Sequence, residues 1–135
     1  MNGLNPSFGT CSDFLHIMRH EFGHSFVNPV TERKEELVRR YVHLYTPVKD
    51  KMQSLSYGEW PICLNEHLVR AVTIRLAYLD NKEAGKQALK EEERKGFIYI
   101  DCLTDRLIEY ENNRDRYPTF ESFYDVLIGE LDKVH

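Results

Sequence analysis

The chain has 135 residues, of which 41% are hydrophobic and 12% aromatic. This composition is typical of one folded domain with a core, and it argues against a disordered tail. Lysine and arginine number 18 against 22 aspartate and glutamate residues, so the formal net charge of -4 gives no overall attraction to nucleic acid or to an anionic membrane. The apolar runs cover only a few residues, whereas a bilayer span needs about 20, so no membrane-spanning segment is predicted.

The first six residues and the three cysteines carry little functional information. Residues 1–6 have neither the basic start nor the apolar stretch of a secretory signal, and they indicate no compartment. Cys11, Cys63 and Cys102 are odd in number and widely spaced. They therefore predict buried free thiols rather than a disulfide framework or a metal knuckle.

Two helices are predicted in the first part of the chain. From about residue 11 apolar side chains recur every four positions, and this helix should end near Asn28 because Pro29 disfavours helical geometry at the residue before it. Thr31 is the predicted N-cap of a second helix with a three-or-four apolar spacing. Pro47 should kink or split that second helix.

The rest of the sequence predicts further helices. Pro61 suits the first turn of a third helix, which is apolar on almost every face and should be central. Residues 81–95 are dominated by charged side chains and predict a solvated helix that stops at Gly96. The helical period then resumes, and a last helix opens at Thr119. We expect one mainly α domain over residues 1–135, which is compatible with a fragment of a longer protein.

The string His20-Glu21-Phe22-Gly23-His24 in the first helix is the HExxH pattern. His24 lies about 40° round the helix from His20 and one turn along, so both imidazoles can reach one tetrahedral ion. Glu21 projects beside such an ion, where its carboxylate can take a proton from bound water. Gly23 would open room for substrate on the metal side, or it serves close packing.

A catalytic zinc site needs a third protein ligand. His16 lies eight residues before His24, so the three imidazoles would spread over about 12 Å of helix axis, which is too far for one ion. Glu66 lies in the apolar third helix, where a buried carboxylate needs a partner. That partner is either Arg70, one turn later, or the ion held by His20 and His24, and we favour the ion.

Three further side chains are candidates for binding substrate or steadying an oxyanion: His67, Arg70 and Tyr57. His67 faces about 100° away from Glu66, so it is an alternative third ligand, a donor to the oxyanion, or an ordinary hydrogen-bonded histidine. Arg70 would support Glu66 or anchor a substrate carboxylate.

HExxH followed by a glutamate on a later helix resembles the gluzincin group of zinc metallopeptidases. The longer string HEFGHSFVNP, residues 20–29, resembles a bacterial family of candidate peptidases catalogued as a domain of unknown function. Segments 65–71 and 110–120 resemble later parts of the same family. The likeness therefore runs from about residue 5 to about residue 124.

The resemblance implies that His20, His24 and Glu66 bind zinc and that Glu21 is the general base. It also implies the helical part of a zincin fold, with the N-terminal sheet largely absent because only about ten residues precede the first helix. Well-known gluzincins have an acidic residue where this chain has Arg70, so the role of orienting a metal-binding histidine does not transfer there. Asn28, one turn beyond His24, is a substitute candidate for that role.

Together these observations predict a zinc-dependent peptidase that acts on a peptide or protein substrate. Zinc would activate a water, and Glu21 would take its proton and deliver a proton to the leaving amine. The alternative is a non-catalytic helical domain, which either keeps zinc for stability or binds a partner.

Overall fold

The computed structural model describes residues 23–25 and 27–134, and within these ranges the chain is helical and has no strand. The described part of the first helix, α1, covers 23–25 and 27–33. The later helices are α2 Glu35–Arg39, α3 Lys49–Ser54, α4 Trp60–Asp80, α5 Lys82–Arg94, α6 Ile100–Asn112 and α7 Phe120–Gly129, with 3₁₀ segments at Val42–Val48 and Glu130–Lys133. The prediction of a mainly α, single helical domain is confirmed.

Helix α4 is the centre of the core, as its apolar faces predict. Pro61 lies in its first turn, where the missing N–H costs nothing. Its buried side chains include Leu64, Leu68 and Ile74, each at most 1% exposed. Helices α5 and α6 both pack against it. Side chains on several faces of α4 are therefore enclosed in the core.

Helix α1 continues through Pro29, so the predicted end near Asn28 is wrong. Val27 and Val30 flank the proline and are buried in the core. Thr31 is not an N-cap, because it lies inside α1. Its hydroxyl forms a 2.8 Å hydrogen bond with the Tyr124 hydroxyl of α7. Burial of the flanking valines and this contact outweigh the local preference of the residue before proline.

The second predicted helix is divided into pieces, as Pro47 predicts. Helix α2 is followed by the 3₁₀ segment Val42–Val48, which contains the proline, and then by α3. Each piece buries an apolar side chain, namely Val38, Leu44 and Met52. Core contacts therefore hold together a segment whose hydrogen-bond ladder is interrupted.

Helix α5 begins at its N-cap Asn81, whose side chain accepts the N–H groups of Glu83 and Ala84. It ends before Gly96, which has a positive φ of 109°. These boundaries match the predicted solvated helix. One part of the prediction is wrong, because Glu92 is buried against α4.

The last two helices complete the core. Thr119 and Ser122 form a reciprocal capping box at the start of α7, which confirms the predicted start.

Cys63 is buried and Cys102 is half-buried, and both are free thiols. Burial raises their pKa values to about 12 and about 11, so both stay protonated at neutral pH. Cys11 lies outside the described residues.

Within the part of the chain that the structure describes, no helix is both long enough and apolar enough to cross a bilayer.

Candidate metal centre

The site begins with a close approach between α1 and α4. Gly23 lies so near Val69 that a Cβ atom on the glycine would be 2.9 Å from Val69 Cγ1. This contact shows that Gly23 serves close packing of the two helices. Because the two helix backbones are close here, the next residue, His24, can reach a polar side chain of α4.

His24 and Glu66 meet across this helix pair. The Nε2 atom of His24 lies 2.9 Å from Oε2 of Glu66, although the two residues belong to different helices. The Glu66 side chain is 7% exposed, and the His24 side chain is 27% exposed. Two of the three sequence-predicted ligands are thus side by side, with the imidazole toward the solvent.

The other two residues of the predicted catalytic set, His20 and Glu21, lie outside the described residues, as does His16. Among the residues that are described, no group of three or more histidine, cysteine, aspartate or glutamate side chains could hold a metal ion. The described part of the candidate centre is therefore the His24 and Glu66 pair.

Arg70 supports the second carboxylate oxygen of Glu66. Its Nε and Nη2 atoms both lie 3.2 Å from Oε1 of Glu66. Its Nη1 atom lies 2.9 Å from both carboxylate oxygens of Glu92. Each oxygen of Glu66 thus has its own neighbour, Arg70 on one side and His24 on the other.

Tyr57 and Phe97 complete the surroundings of this guanidinium. Nη2 of Arg70 donates to the Tyr57 hydroxyl at 3.1 Å, and the guanidinium carbon lies 4.5 Å from the centre of the Phe97 ring. Burial raises the pKa of Tyr57, the negative charge of Glu66 adds to the rise, and the hydrogen bond from Arg70 opposes it. Tyr57 is therefore a neutral hydroxyl beside Glu66.

Arg70 and Lys95 balance the negative charges of Glu66 and Glu92. Arg70 serves two buried carboxylates, and Lys95 approaches Glu92 at 3.5 Å from a half-exposed position. Burial works against the charge on Arg70, but Glu92, Tyr57 and Glu66 outweigh it and raise its pKa. The guanidinium thus stays charged, and it holds Glu66 in one orientation with Oε2 directed at His24.

His67 is directed into the core and not toward Glu66 and His24. Its Nδ1 lies 3.0 Å from the Cys63 carbonyl and its Nε2 accepts the backbone N–H of Tyr99 at 3.4 Å. Both ring nitrogens are thereby used, and the neutral Nδ1–H tautomer satisfies both bonds. Burial, the largest cause, lowers the pKa of His67 to about 4. The structure thus gives His67 the surroundings of a hydrogen-bonded core histidine.

Asn28 and Glu92 are the residues whose placement the sequence prediction missed. Asn28 Oδ1 is buried and has no hydrogen-bond partner among the described residues, so this oxygen does not orient His24. Glu92 shares one face of α5 with Gly85, Ala88 and Leu89, which recur at helical spacing and are buried or half-buried. That pattern was the available signal that Glu92 faces α4.

The fold and the site define a helical domain in which one contact between α1 and α4 joins an imidazole to a buried, arginine-held carboxylate. The chain belongs to the family described as "Domain of unknown function (DUF4932)", whose family model matches residues 7–129. No curated protein matches the chain, and no solved structure does either.

Proposed function

We propose that this chain is a zinc-dependent peptidase in which His20, His24 and Glu66 bind the metal and Glu21 is the general base. The observation that carries the proposal is the 2.9 Å contact between His24 Nε2 and Glu66 Oε2. The HExxH spacing predicts His24 as a ligand, the burial of a carboxylate in an apolar helix predicts Glu66, and the two side chains lie close enough to bind one ion. His20 and Glu21 enter through the HExxH pattern and the gluzincin resemblance.

The donor set suits zinc. An imidazole nitrogen and a carboxylate oxygen are common zinc donors, and two histidines with one glutamate leave a fourth position open. Arg70 binds Oε1 of Glu66 and so leaves Oε2 toward His24. A ligand carboxylate that is itself hydrogen-bonded is the usual arrangement around a metal.

Zinc held by His20, His24 and Glu66 would supply a Lewis acid, which would lower the pKa of a bound water toward about 7 and polarise the substrate carbonyl. Glu21 takes the proton of the attacking water and passes a proton to the leaving amine. Arg70 and Tyr57 act as positioning residues, because Arg70 holds Glu66 and Tyr57 accepts a hydrogen bond from Arg70. His67 has no part in the proposed reaction, because both of its ring nitrogens bond to the backbone in the core.

Zinc affinity of two matched variants tests the ligand assignment. Glu66→Gln and Glu92→Gln each remove one negative charge bonded to Arg70, but only Glu66 faces His24. We expect Glu66→Gln to weaken zinc binding by about 100-fold or more, and Glu92→Gln by less than about tenfold. Competition with a zinc-binding dye measures both, and equal losses in the two variants would contradict the assignment.

Peptide cleavage tests the role of Glu21 as the general base. Glu21→Gln should retain zinc and lower the cleavage rate by about 10² to 10⁴ fold, because only the proton transfer is lost. Cleavage that continues at the original rate in Glu21→Gln would remove Glu21 from the mechanism. A wild-type chain that binds no zinc after metal-free preparation and re-addition would overturn the whole proposal.

A second candidate function is a non-catalytic helical domain that keeps zinc for stability or binds a partner. The contacts that favour it run from His24 through Glu66 and Arg70 to Glu92, and they tie α1, α4 and α5 together. An ion at His24 would extend that network without any chemistry. Zinc that raises Tm in a chain with no measurable peptide cleavage is the result expected of this alternative.

A further inference from the structure

A cleft of about 630 Å³ lies beside the candidate metal centre. Asn28, one helical turn after His24, lines it from α1, and Asn65, directly before Glu66, lines it from α4. Trp60, at the start of α4, forms another part of its wall. A volume of this size is ordinary for a small-ligand or peptide subsite.

Both asparagines contribute a buried acceptor to which no described residue donates. The Oδ1 atoms of Asn28 and Asn65 each expose less than 1 Å² and have no hydrogen-bond partner in the described part of the chain. A buried amide oxygen without a donor is costly, and such atoms are rare in folded proteins. The last torsion of an asparagine is soft, so either amide can turn its oxygen toward an N–H group that enters the cleft.

The surface between these acceptors is apolar. The indole Nε1–H of Trp60 is already donated to the Val38 carbonyl at 2.9 Å, so its ring offers no free polar atom. Val42 is 52% exposed and Ile62 is 42% exposed, so both present apolar surface to the cleft. An apolar side chain of a ligand would cover these residues.

The rim carries more negative than positive charge. Glu32 and Glu35 lie on it together with Arg39, and Arg39 is paired with Glu35 at 2.6 Å. An acidic side chain is therefore disfavoured in the cleft.

We propose that this cleft binds the main chain of a peptide substrate, whose N–H groups donate to Asn28 and Asn65. An apolar side chain of the peptide packs against Val42 and Ile62, beside the ring of Trp60, which is 3% exposed. A polypeptide is the ligand that carries main-chain donors and an apolar side chain in one repeating unit. This inference rests on the proposed function, and it adds a preference for an apolar residue in the substrate next to the cleavage site.

Trp60 is the one tryptophan of the chain, so it provides a direct probe of the cleft. The full chain with Glu21→Gln, labelled with 5-fluorotryptophan and loaded with zinc, gives one ¹⁹F resonance for this position. We expect acetyl-Ala-Leu-Ala-amide to shift that resonance saturably. The same peptide with aspartate in place of leucine should bind about tenfold more weakly or worse.

Asparagine variants in that background test the two acceptors. Asn28→Leu and Asn65→Leu should each raise the Kd of the leucine peptide by about tenfold, whereas Tm stays the same or rises because no hydrogen bond is lost. Asn112→Leu, at the exposed end of α6, is the matched control and should leave both quantities unchanged. A resonance that does not move with peptide, or unchanged affinity in both cleft variants, overturns the inference.

Zinc content and cleavage by the wild-type chain separate this inference from the proposed function. A chain without zinc that still binds the peptide at Trp60 overturns the peptidase and leaves a peptide-binding cleft. Zinc binding and cleavage without any effect of peptide at Trp60 overturn the cleft and leave the peptidase.

Discussion

Single residues decide how closely α1 can approach α4. Gly23 is packed against Val69, whose side chain is fully buried and β-branched, so it has little freedom to move aside. In an isolated helix alanine would be better than glycine by about 1 kcal/mol. At this position the added methyl group meets a methyl group of Val69 instead.

We expect Gly23→Ala to lower the free energy of unfolding by about 1 to 3 kcal/mol, because the methyl group overpacks the contact with Val69. The loss should be smaller in a Val69→Ala background, where the space has been made. Urea unfolding of the two single variants and the double variant gives the coupling energy. A gain of stability from Gly23→Ala in both backgrounds would contradict the observed close packing.

The sequence could predict part of the candidate site at this scale. A carboxylate in an apolar helix needs a partner, and of the two that the sequence offers for Glu66, Arg70 and an ion held by His20 and His24, the contacts show Arg70. They also place His24, one of the two expected ligands of that ion, beside Glu66. The metal role of the pair stays a prediction. Asn65 could not be found, since nothing in the local pattern shows which face of α4 opens onto a cleft.

At the scale of helices, one largely buried arginine joins α4 to α5. Arg70 projects from α4, and its Nη1 donates to both carboxylate oxygens of Glu92 in α5. The Arg70 side chain is 13% exposed. Near the other end of the helix pair, a Cβ atom on Gly85 would overlap the Tyr78 ring. One polar and one steric contact therefore fix how the two helices lie together.

Arg70→Met should lower the free energy of unfolding by about 3 kcal/mol, because two buried carboxylates lose their partner. Arg94→Met is the control, since Arg94 pairs with Glu91 at 2.6 Å on an exposed surface, and it should change stability by less than about 0.5 kcal/mol. Chemical denaturation measures both. Similar stabilities of the two variants would show that Arg70 does not anchor α5.

Helix boundaries were predictable where local signals act alone. The N-cap Asn81, the positive φ of Gly96 and the Thr119 capping box are each set by a few neighbouring residues, and α5 and α7 begin or end where expected. The end of α1 was not predictable in this way. Its continuation past Pro29 depends on contacts with distant parts of the chain, including Tyr124.

At the scale of the whole molecule, α7 closes against α1. The buried hydrogen bond between Thr31 and Tyr124 joins these distant segments, and the ion pairs Arg33–Glu121 and Lys34–Asp125 lie outside it. Burial raises the pKa of Tyr124 to about 12, and the hydrogen bond to Thr31 opposes that rise. The Tyr124 hydroxyl that joins α7 to α1 is therefore neutral at pH 7.

The stability of the wild-type chain should fall as the pH rises from about 10 to about 12. In this range a tyrosine in the unfolded chain ionises, whereas folded Tyr124 keeps its proton. The free energy of unfolding therefore falls by up to about 1.4 kcal/mol per pH unit. Tyr124→Phe should cost about 1 kcal/mol at pH 7 and reduce this alkaline slope. Unfolding in urea at pH 9, 10 and 11 measures it, and parallel curves for both proteins would contradict the assignment.

The hydrogen bonds of the Arg70 guanidinium with Glu66, Glu92 and Tyr57 restrict which residues homologous chains can carry at this position. A lysine at position 70 offers a single ammonium group and cannot engage Glu66, Glu92 and Tyr57 in the same fixed plane. Replacement of Arg70 alone leaves the buried Glu92 carboxylate without its guanidinium, whereas joint replacement of Arg70 and Glu92 by apolar residues leaves only Glu66, which keeps its contact with His24. Homologous chains should therefore show covariation of positions 70 and 92, and an alignment in which the two change independently would count against a shared helix pairing.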